Sequence, residues 1–420
     1  MAVSLGLHHE VESTLSGEEN SPNTPVLDDA SRELRRRVWW SVYSLDRILS
    51  VKSGNPITIQ DEDIGVRLPS RLPTEPEYCP AVVLRQYTKL SNILGNIHTK
   101  IYRKTNKAEQ KSGKTLMASV QKIILSLSEW DSELPYGLRF DPDRLSIGRE
   151  SVSTLAHYYQ CINMTVRPLL FHVVQKRLAL IRNGDSSVRE QDWKKGLSQT
   201  TVKVIEMCIG AAHDTINVMA IASQKDLVAT YGYMDGEHIF SATIVLVMVC
   251  AAFPRNDATL AAMSTGLSLL HGMGERGNSH MGARYELLAK LQSAVTPNDI
   301  GTPFEFIPQP SAVGNGFSFN FPTAATGPTP FQTPTSYVGS QSVISGTTTD
   351  QPKFPIIDIQ TLAEPFYDES ASTGMDFGLW EEGFAYPTMD LDLNLAQQQP
   401  LAGSGQLTGH EDTIQAGNYM

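Results

Sequence analysis

Two short motifs bring together residue types that could do chemistry. The glycines of Gly272-x-Gly274-x-x-Gly277 have the spacing of a dinucleotide-binding loop, in which glycine lets the backbone approach a pyrophosphate. That loop works between a strand and a helix, whereas a helical pattern precedes these glycines, so we interpret them as a turn between helices. His8 and His9, followed by Glu10, lack the separation that places two zinc ligands on one helix face. We therefore predict that the chain is not an enzyme.

The four cysteines show no pattern for a metal site or a disulfide. Cys79, Cys161, Cys208 and Cys250 lie more than 40 residues apart, and no CxxC pair occurs in the sequence. Structural zinc sites normally take their cysteines from such closely spaced pairs. The sequence predicts reduced thiols, no metal site and no cofactor in this chain.

Charged residues are concentrated around one strongly apolar segment. The triplet Arg35–Arg37 has two interpretations, a contact with nucleic acid or ion pairs within the fold. Three charges are few for a salt-resistant nucleic-acid interface, which favours guanidinium groups paired with carboxylates such as Asp46, Asp61 or Asp63. Asp46 lies among apolar neighbours, so we expect it to need a partner, and if it is buried, loss of that partner should cost about 3–5 kcal/mol.

These charges flank a helix whose apolar residues recur with the helical period. Five of them follow one another at steps of three or four residues, and four larger side chains widen the face that they form. We predict a helix that is buried nearly all round, and that ends at Gly54 with Pro56 behind it. The five are Leu34, Val38, Val42, Leu45 and Leu49, and the four are Trp39, Trp40, Tyr43 and Ile48.

Similar apolar stripes recur as far as residue 295. The alternation typical of a strand does not exceed the three residues Ile57–Ile59. The longest apolar run, Ile239–Phe253, has 15 residues, which is short for a membrane span, so we interpret it as a buried helix and expect no membrane partner. The predicted fold class is all-α, a multi-helix bundle followed by a disordered acidic C-terminal tail. The later helices are predicted at about residues 196–223, 236–253, 258–271 and 284–295.

The composition changes at residue 296. Residues 1–295 hold 31 acidic and 33 basic residues, whereas residues 296–420 hold 14 acidic residues, a single lysine and no arginine. The second part also contains 13 of the 24 prolines. Such a segment buries too little apolar surface to offset the entropy of ordering it. We predict a disordered Pro/Gly/Ser/Thr-rich linker at residues 296–353 and a disordered tail at residues 396–420.

Residues 354–395 differ from the rest of this tail. They hold nine acidic and seven aromatic residues and no basic residue. Repulsion between the carboxylates keeps such a segment expanded, so that its rings stay accessible to a hydrophobic groove on a partner. A passive acidic linker has a similar composition, but exposed rings are an aggregation hazard, which favours a partner-binding or activating role. The rings predicted to contact a partner are Phe366, Tyr367, Phe377, Trp380, Phe384 and Tyr386.

Within residues 34–69 several sequence elements follow in a fixed order. They are an arginine triplet, paired tryptophans, a Leu-Asp-Arg, a Gly-Asn-Pro break, an acidic turn and a Leu-Pro. In this order the chain resembles the middle homology region of fungal binuclear zinc-cluster transcription factors. The residues that carry the resemblance are Arg35, Arg36, Arg37, Trp39, Trp40, Leu45, Asp46, Arg47, Gly54, Pro56, Asp61, Asp63, Leu68 and Pro69.

The resemblance implies a role for each part of the chain. Residues 1–295 would be the regulatory middle homology domain, incomplete at its N-terminus. Residues 354–395 would be an activation segment that contacts coactivators or the general transcription machinery. The chain would be a nuclear regulator, in this interpretation an activator, of RNA polymerase II genes, and secondary metabolism is one field that such proteins control. DNA would be bound only through a zinc-carrying six-cysteine domain that these residues lack.

Two explanations of that missing domain stay open. The sequence is part of a longer regulator, or it is a DNA-binding-deficient co-regulator or scaffold that acts by protein contact. For the mechanism we hypothesise that the helical body restrains the acidic tail, or senses a small-molecule inducer between its helices, and releases the tail to coactivators.

Overall fold

A computed structural model describes residues 2–9, 28–103, 112–140, 147–184, 186–295 and 376–385. In these residues the regular structure is helical throughout, which confirms the predicted fold class for this part of the chain. The predicted linker at 296–353, the tail at 396–420 and most of segment 354–395 lie outside the described residues. The helices are α1 (Asp29–Ser53), α2 (Pro80–Ile97), α3 (Gly113–Ser132), α4 (Arg149–Arg182), α5 (Gln199–Gln224), α6 (Tyr233–Ala252), α7 (Asp257–Glu275), α8 (Ser279–Val295) and α9 (Phe377–Phe384).

The ends of α1 and α2 follow from their sequences. Helix α1 begins after Asp28, whose carboxylate accepts a hydrogen bond from the backbone N–H of Ser31 at 2.9 Å. It ends at Gly54, which adopts a left-handed φ of 68° that other residues rarely take. Helix α2 begins with Pro80 in the first helical position, where the missing N–H costs no hydrogen bond. The predicted end of α1 at Gly54 is therefore confirmed.

Helix α6 lies at the centre of the bundle. Nearly all of its residues between Asp235 and Ala252 are buried, and α4, α5, α7 and α8 pack around it. Helices α5 and α6 are both long and apolar enough to cross a membrane by composition alone, but 89% of the most apolar window of α6 is buried inside this bundle. The interpretation of Ile239–Phe253 as a buried helix is confirmed.

Small residues let the last helices approach one another closely. A Cβ added to Gly266 of α7 would lie 2.2 Å from Thr243 Oγ1 of α6, and one added to Gly274 would lie 2.9 Å from the backbone of Gly282 in α8. The glycine motif is part of this packing, because α7 continues to Glu275 and only Gly277, with a φ of 100°, lies in the turn. The described structure shows no strand before it, as a dinucleotide site would need.

A buried ionic contact joins α1 to α6 and α8. Lys52 Nζ lies 3.4 Å from Glu237 Oε2, and Arg284 Nη2 lies 3.3 Å from Glu237 Oε1. Burial raises the pKa of the Glu237 carboxyl, but the charges of Lys52 and Arg284 outweigh it and leave the pKa below its ordinary value. This carboxylate therefore stays charged inside the bundle and holds the end of α1 in place.

One prediction about α1 is wrong in an informative way. The side chains Trp39, Trp40, Tyr43 and Ile48 are buried, as expected. The stripe of five at helical spacing instead faces outward, so α1 is buried on one face only. Regular spacing identifies a face of a helix, but the larger aromatic side chains decide which face packs inward. The exposed side chains are Leu34 (63%), Val38 (44%), Val42 (41%), Leu45 (55%) and Leu49 (49%).

Candidate functional site

The aromatic face of α1 is held by the chain segment that follows it. Trp39, Trp40 and Tyr43 form an apolar cluster with Val66, which is separate from the main core. The indole N–H of Trp40 donates to the carbonyl of Arg67 at 2.7 Å. Nearby, Leu68 is half-buried and Pro69 is buried. The paired tryptophans therefore lie against the segment that carries the Leu-Pro.

Arg47 is the buried charge of this region. Its side chain is 1% exposed and donates to Asp61 Oδ1 at 2.7 Å and to Asp46 Oδ2 at 2.9 Å. It also donates to the carbonyl of Ile59 at 2.8 Å and lies 4.1 Å from the centre of the Tyr43 ring. Asp46 was expected to need a partner, and it accepts from Thr58 as well as from Arg47. Its side chain is partly exposed at 19%, so the fully buried charge of this region is the guanidinium of Arg47.

The arginine triplet finds partners that its sequence neighbourhood did not suggest. Arg37 donates to Glu33 Oε1 at 3.0 Å and, through two nitrogens, to Glu75 at 2.7 Å. Arg36 lies 3.4 Å from Glu33, and Arg35 is partly exposed. The interpretation as structural ion pairs holds for Arg36 and Arg37, but the suggested partners were wrong, since Asp46 and Asp61 pair with Arg47 and Asp63 is exposed.

The bidentate contact with Arg37 acts on the protonation of Glu75. The hydrogen bonds from Arg37, followed by one from the backbone of Leu72, lower the pKa of the Glu75 carboxyl to about 2. The contact therefore persists over the whole physiological pH range. It closes the loop after α1 onto the start of that helix, which is a structural role.

A second arrangement of polar and aromatic groups involves the acidic segment. Helix α9, which belongs to residues 354–395, packs against α3 and α4 in the same compact unit as the bundle. Trp380 is 0% exposed and Phe384 is 5% exposed, and their ring centres lie 5.9 Å apart. Phe377 is partly buried against the same core. The expectation of accessible rings is therefore wrong for Trp380 and Phe384.

Hydrogen bonds fix the first turn of α9. Asp376 Oδ1 accepts from the hydroxyls of Ser198 at 2.7 Å and Thr201 at 2.8 Å, and its Oδ2 accepts from the Ser198 N–H at 3.2 Å. The indole N–H of Trp380 donates to Thr201 Oγ1 at 2.8 Å. Thr201 is 0% exposed, so this hydroxyl satisfies two groups of α9 inside the protein.

An exposed ionic contact lies at the other end of α9. Glu382 Oε2 is 2.6 Å from Lys176 Nζ and 3.1 Å from His172 Nε2, both on α4. The hydrogen bond from Lys176 and then that from His172 lower the pKa of Glu382. Because Lys176 and Glu382 are both more than half exposed, this pair orients α9 more than it stabilises it.

Part of the packing of α9 could be predicted from the sequence. Phe377, Trp380 and Phe384 have helical spacing, which predicts that they share one face of a helix. The hydroxyls of Ser198 and Thr201 lie about 180 residues away along the chain, and nothing in their local sequence pairs them with an acidic helix. Phe366, Tyr367 and Tyr386 lie outside the described residues.

A cleft of about 990 Å³ lies between α1, α2 and α3. Amide, hydroxyl and ammonium groups line it beside the rings of α1 and α3, and they include Asn92, Asn96, Ser119 and Lys122. This volume is at the upper end of the range typical of small-molecule sites, roughly 300–1,000 Å³. Among the described residues, no group of three or more His, Cys, Asp or Glu side chains is placed to hold a metal ion.

Two buried histidines lie inside the bundle, one on α4 and one on α6. The ring centres of His157 and His238 are 6.2 Å apart, and Tyr87 stacks on His157 at 4.7 Å. Burial, followed by the charge of Lys52, lowers the pKa of His157 to about 3, and burial lowers that of His238 strongly as well. Both rings are therefore neutral at physiological pH.

Sequence comparison with known proteins identifies the family that the signature of residues 34–69 resembles. Residues 1–132 match the fungal specific transcription factor domain. A transcriptional regulatory protein of Schizosaccharomyces pombe is 26% identical over 279 residues, which are 65% of this chain and 31% of that protein. The thiamine repressible genes regulatory protein thi1 of the same species is 23% identical over 63% of this chain and 30% of its own length. The ABC-transporter-regulating transcription factor of Aspergillus fumigatus is 24% identical over 49% of this chain and 24% of its own.

These matches define a class of protein. The chain contains the fungal specific transcription factor domain at residues 1–132, and the relatives that it matches are fungal transcription regulators. These matches agree with the prediction that the chain is not an enzyme. It spans about a third or less of the length of these relatives. No solved structure matches the chain.

Proposed function

We propose that these residues supply the regulatory and activating parts of a regulator of RNA polymerase II genes in the nucleus. The family domain at residues 1–132 supports the transcriptional role. The nine acidic and seven aromatic residues of segment 354–395 carry the activating part of the proposal. Rings flanked by like charges are typical of segments that dock into hydrophobic grooves of partner proteins. The partners would be coactivators or general transcription proteins.

Contact with DNA is not assigned to these residues. The sequence contains no CxxC pair, and residues 1–295 are close to neutral, whereas polyanion binding requires a basic surface. The arginine triplet is the most basic part of the family signature, yet Arg36 and Arg37 are engaged with Glu33 and Glu75. We propose that a zinc-cluster domain of the regulator binds DNA and that this body transmits regulation.

The activating role is tested by transfer to another protein. Residues 354–395 are fused to a heterologous DNA-binding domain, and a reporter gene is measured in a fungal host. A matched variant replaces the six rings predicted to contact a partner with alanine and keeps every acidic residue; the rings are those of Phe366, Tyr367, Phe377, Trp380, Phe384 and Tyr386. We expect the wild-type segment to activate and the variant to lose most of that output. Background output from the wild-type segment would reject the activating role.

The cleft beside α2 supports a small-molecule inducer as an additional partner. Its size suits such a ligand, and Lys122 and the nearby amides offer hydrogen-bond donors for polar oxygen atoms. We propose the cleft as the place where an inducer would bind between the helices. Ser119→Trp would fill the cleft from an exposed helix face, so it should abolish the response of the reporter to an inducing growth medium without changing output in a non-inducing medium.

A further inference from the structure

The face of α9 that contacts the bundle is the face with the large rings. Trp380 and Phe384 point into the protein, whereas Gly378 and Glu382 are on the exposed side. In a segment proposed to bind a partner through its rings, these two side chains are the natural anchors, since buried aromatic residues dominate such contacts. The bundle therefore covers the groups that a partner would need.

The surface beneath α9 has features specific to an acidic helix that carries tryptophan. We define it as the α9 groove, formed by Gly113 at the start of α3, by Leu169 and His172 of α4, and by Ser198 and Thr201 at the start of α5. Three donors converge on the Asp376 carboxylate at the positive end of α5, and one acceptor receives the indole N–H.

The two backbones approach closely where glycine is present. A Cβ added to Gly113 would lie 2.0 Å from the backbone oxygen of Phe377, and one added to Gly383 would lie 3.3 Å from Leu169 Cα. Gly113 lies in the first turn of α3 without a positive φ, so the backbone of α3 does not require glycine there, whereas the close approach of α9 does. By contrast, no atom lies within 4 Å of a Cβ added to Gly378.

We propose that the α9 groove is a docking surface for an acidic aromatic helix, and that it is occupied by residues 376–385 of the same chain in competition with a partner protein. The inference rests on the proposed function, because it concerns the same rings of segment 354–395. Docking and partner binding exclude each other, since Trp380 and Phe384 cannot face both the groove and a partner. Output of the regulator then depends on how often α9 leaves the groove.

A larger side chain in the α9 groove tests whether α9 docks there, and it leaves the sequence of segment 354–395 unchanged. In the full chain of 420 residues, fused to a heterologous DNA-binding domain, Gly113→Ala places a methyl group against the backbone of α9 while alanine suits the first turn of α3. Gly378→Ala is the matched control, because the same substitution there meets open space and favours the helical form of α9. Thr201→Val is a second groove variant, which keeps the side-chain shape and removes the hydroxyl contacts with Asp376 and Trp380.

Two readouts are measured for each protein. Hydrogen exchange reports whether the amides of residues 376–385 are protected, and reporter output gives activation. We expect protection in the wild type and in Gly378→Ala, and exchange faster by about tenfold or more in Gly113→Ala and Thr201→Val. Reporter output should rise several-fold in the two groove variants and stay equal or fall in Gly378→Ala. Unchanged melting temperatures of the bundle would show that the groove variants fold.

The outcomes separate this inference from the proposed function. Fast exchange of residues 376–385 in the wild type, unchanged by Gly113→Ala, would overturn the docking surface. Loss of protection in the groove variants without a rise in output, in a segment that activates when isolated, would overturn the competition. If the isolated segment fails to activate, the proposed function is rejected, while hydrogen exchange still decides whether α9 occupies the groove.

Discussion

The guanidinium of Arg47 and the carboxylate of Asp61 form an ion pair of 2.7 Å between the buried face of α1 and the acidic turn that follows it. Arg47 is 1% exposed, and Asp61 also accepts from Tyr43 at 2.7 Å and from Asn92 at 2.8 Å. One carboxylate thus joins α1, the turn and α2. This arrangement explains why a Leu-Asp-Arg and an acidic turn occur together in the family signature.

Replacement of Asp61 should therefore destabilise the fold. Asp61→Asn removes the charge that faces the buried Arg47 and turns one acceptor into a donor. We expect a loss of about 1.5–3 kcal/mol in the free energy of unfolding, the usual range for a hydrogen bond to a charged group. Asp63→Asn is the control, since Asp63 lies exposed in the same turn, and it should change stability by less than about 0.5 kcal/mol. Chemical denaturation of both variants measures the difference, and equal stabilities would contradict the central role of Asp61.

Substitutions on the two faces of α1 should differ in their effect on the free energy of unfolding. Ile48 is 4% exposed and belongs to the main core, so Ile48→Ala should cost about 2–5 kcal/mol. Leu45 is 55% exposed, and Leu45→Gln should change stability by less than about 0.5 kcal/mol. Thermal and denaturant unfolding of the isolated chain provide the measurement. A large loss for Leu45→Gln would mean that the outward stripe is covered in solution.

The close contact of α6 with α7 predicts a clash that can be relieved. Gly266→Ala would place its methyl group 2.2 Å from Thr243 Oγ1 and 3.0 Å from Ile216 Cδ1. Overpacking of this kind typically costs about 1–3 kcal/mol. Adding Thr243→Ala removes the hydroxyl that is struck, so the double variant should be more stable than the sum of the two single losses predicts. Simple additivity in a double-mutant cycle would show that the helices adjust without this contact.

Acid should destabilise the protein through its buried histidines. The folded-state pKa of His157 is lowered from 6.5 to about 3, so the unfolded chain binds the proton more readily at intermediate pH. The stabilisation is complete above the unfolded pKa and is lost as the pH falls toward the folded pKa, by up to about 1.4 kcal/mol per pH unit for one histidine. His157→Phe keeps a ring against Tyr87 and should make the dependence shallower by that amount. Denaturation between about pH 6 and pH 4.5 tests this, and an unchanged slope would contradict it.

Periodicity was enough to predict most of the architecture. The stretches that became α5, α6, α7 and α8 were located within a few residues, because their stripes have the helical period and turn residues separate them. Helix α4 continues through Pro168 to Arg182, although proline disfavours the interior of a helix.

The partners of charged and aromatic groups could not be predicted in the same way. Arg37 pairs with Glu33 and Glu75, but Glu75 is 38 residues away along the chain. Nothing in the local sequence of Glu75 predicts that pairing. The docking of Trp380 on Thr201 joins residues 179 positions apart. Sequence spacing limits which residues share a helix face, whereas the choice between two faces, or between two acidic partners, depends on contacts that form only in the folded chain.

The reactivity of the buried thiols depends on how often the bundle opens. Cys161 and Cys208 are fully buried, and burial raises the pKa of both, that of Cys208 to about 12. A thiol-directed reagent would therefore modify them only during excursions that open the bundle around α4, where Cys161 contacts α2 and Cys208 of α5 contacts Asn163. The rate of that labelling therefore reports how often the bundle opens, with no substitution needed in the chain.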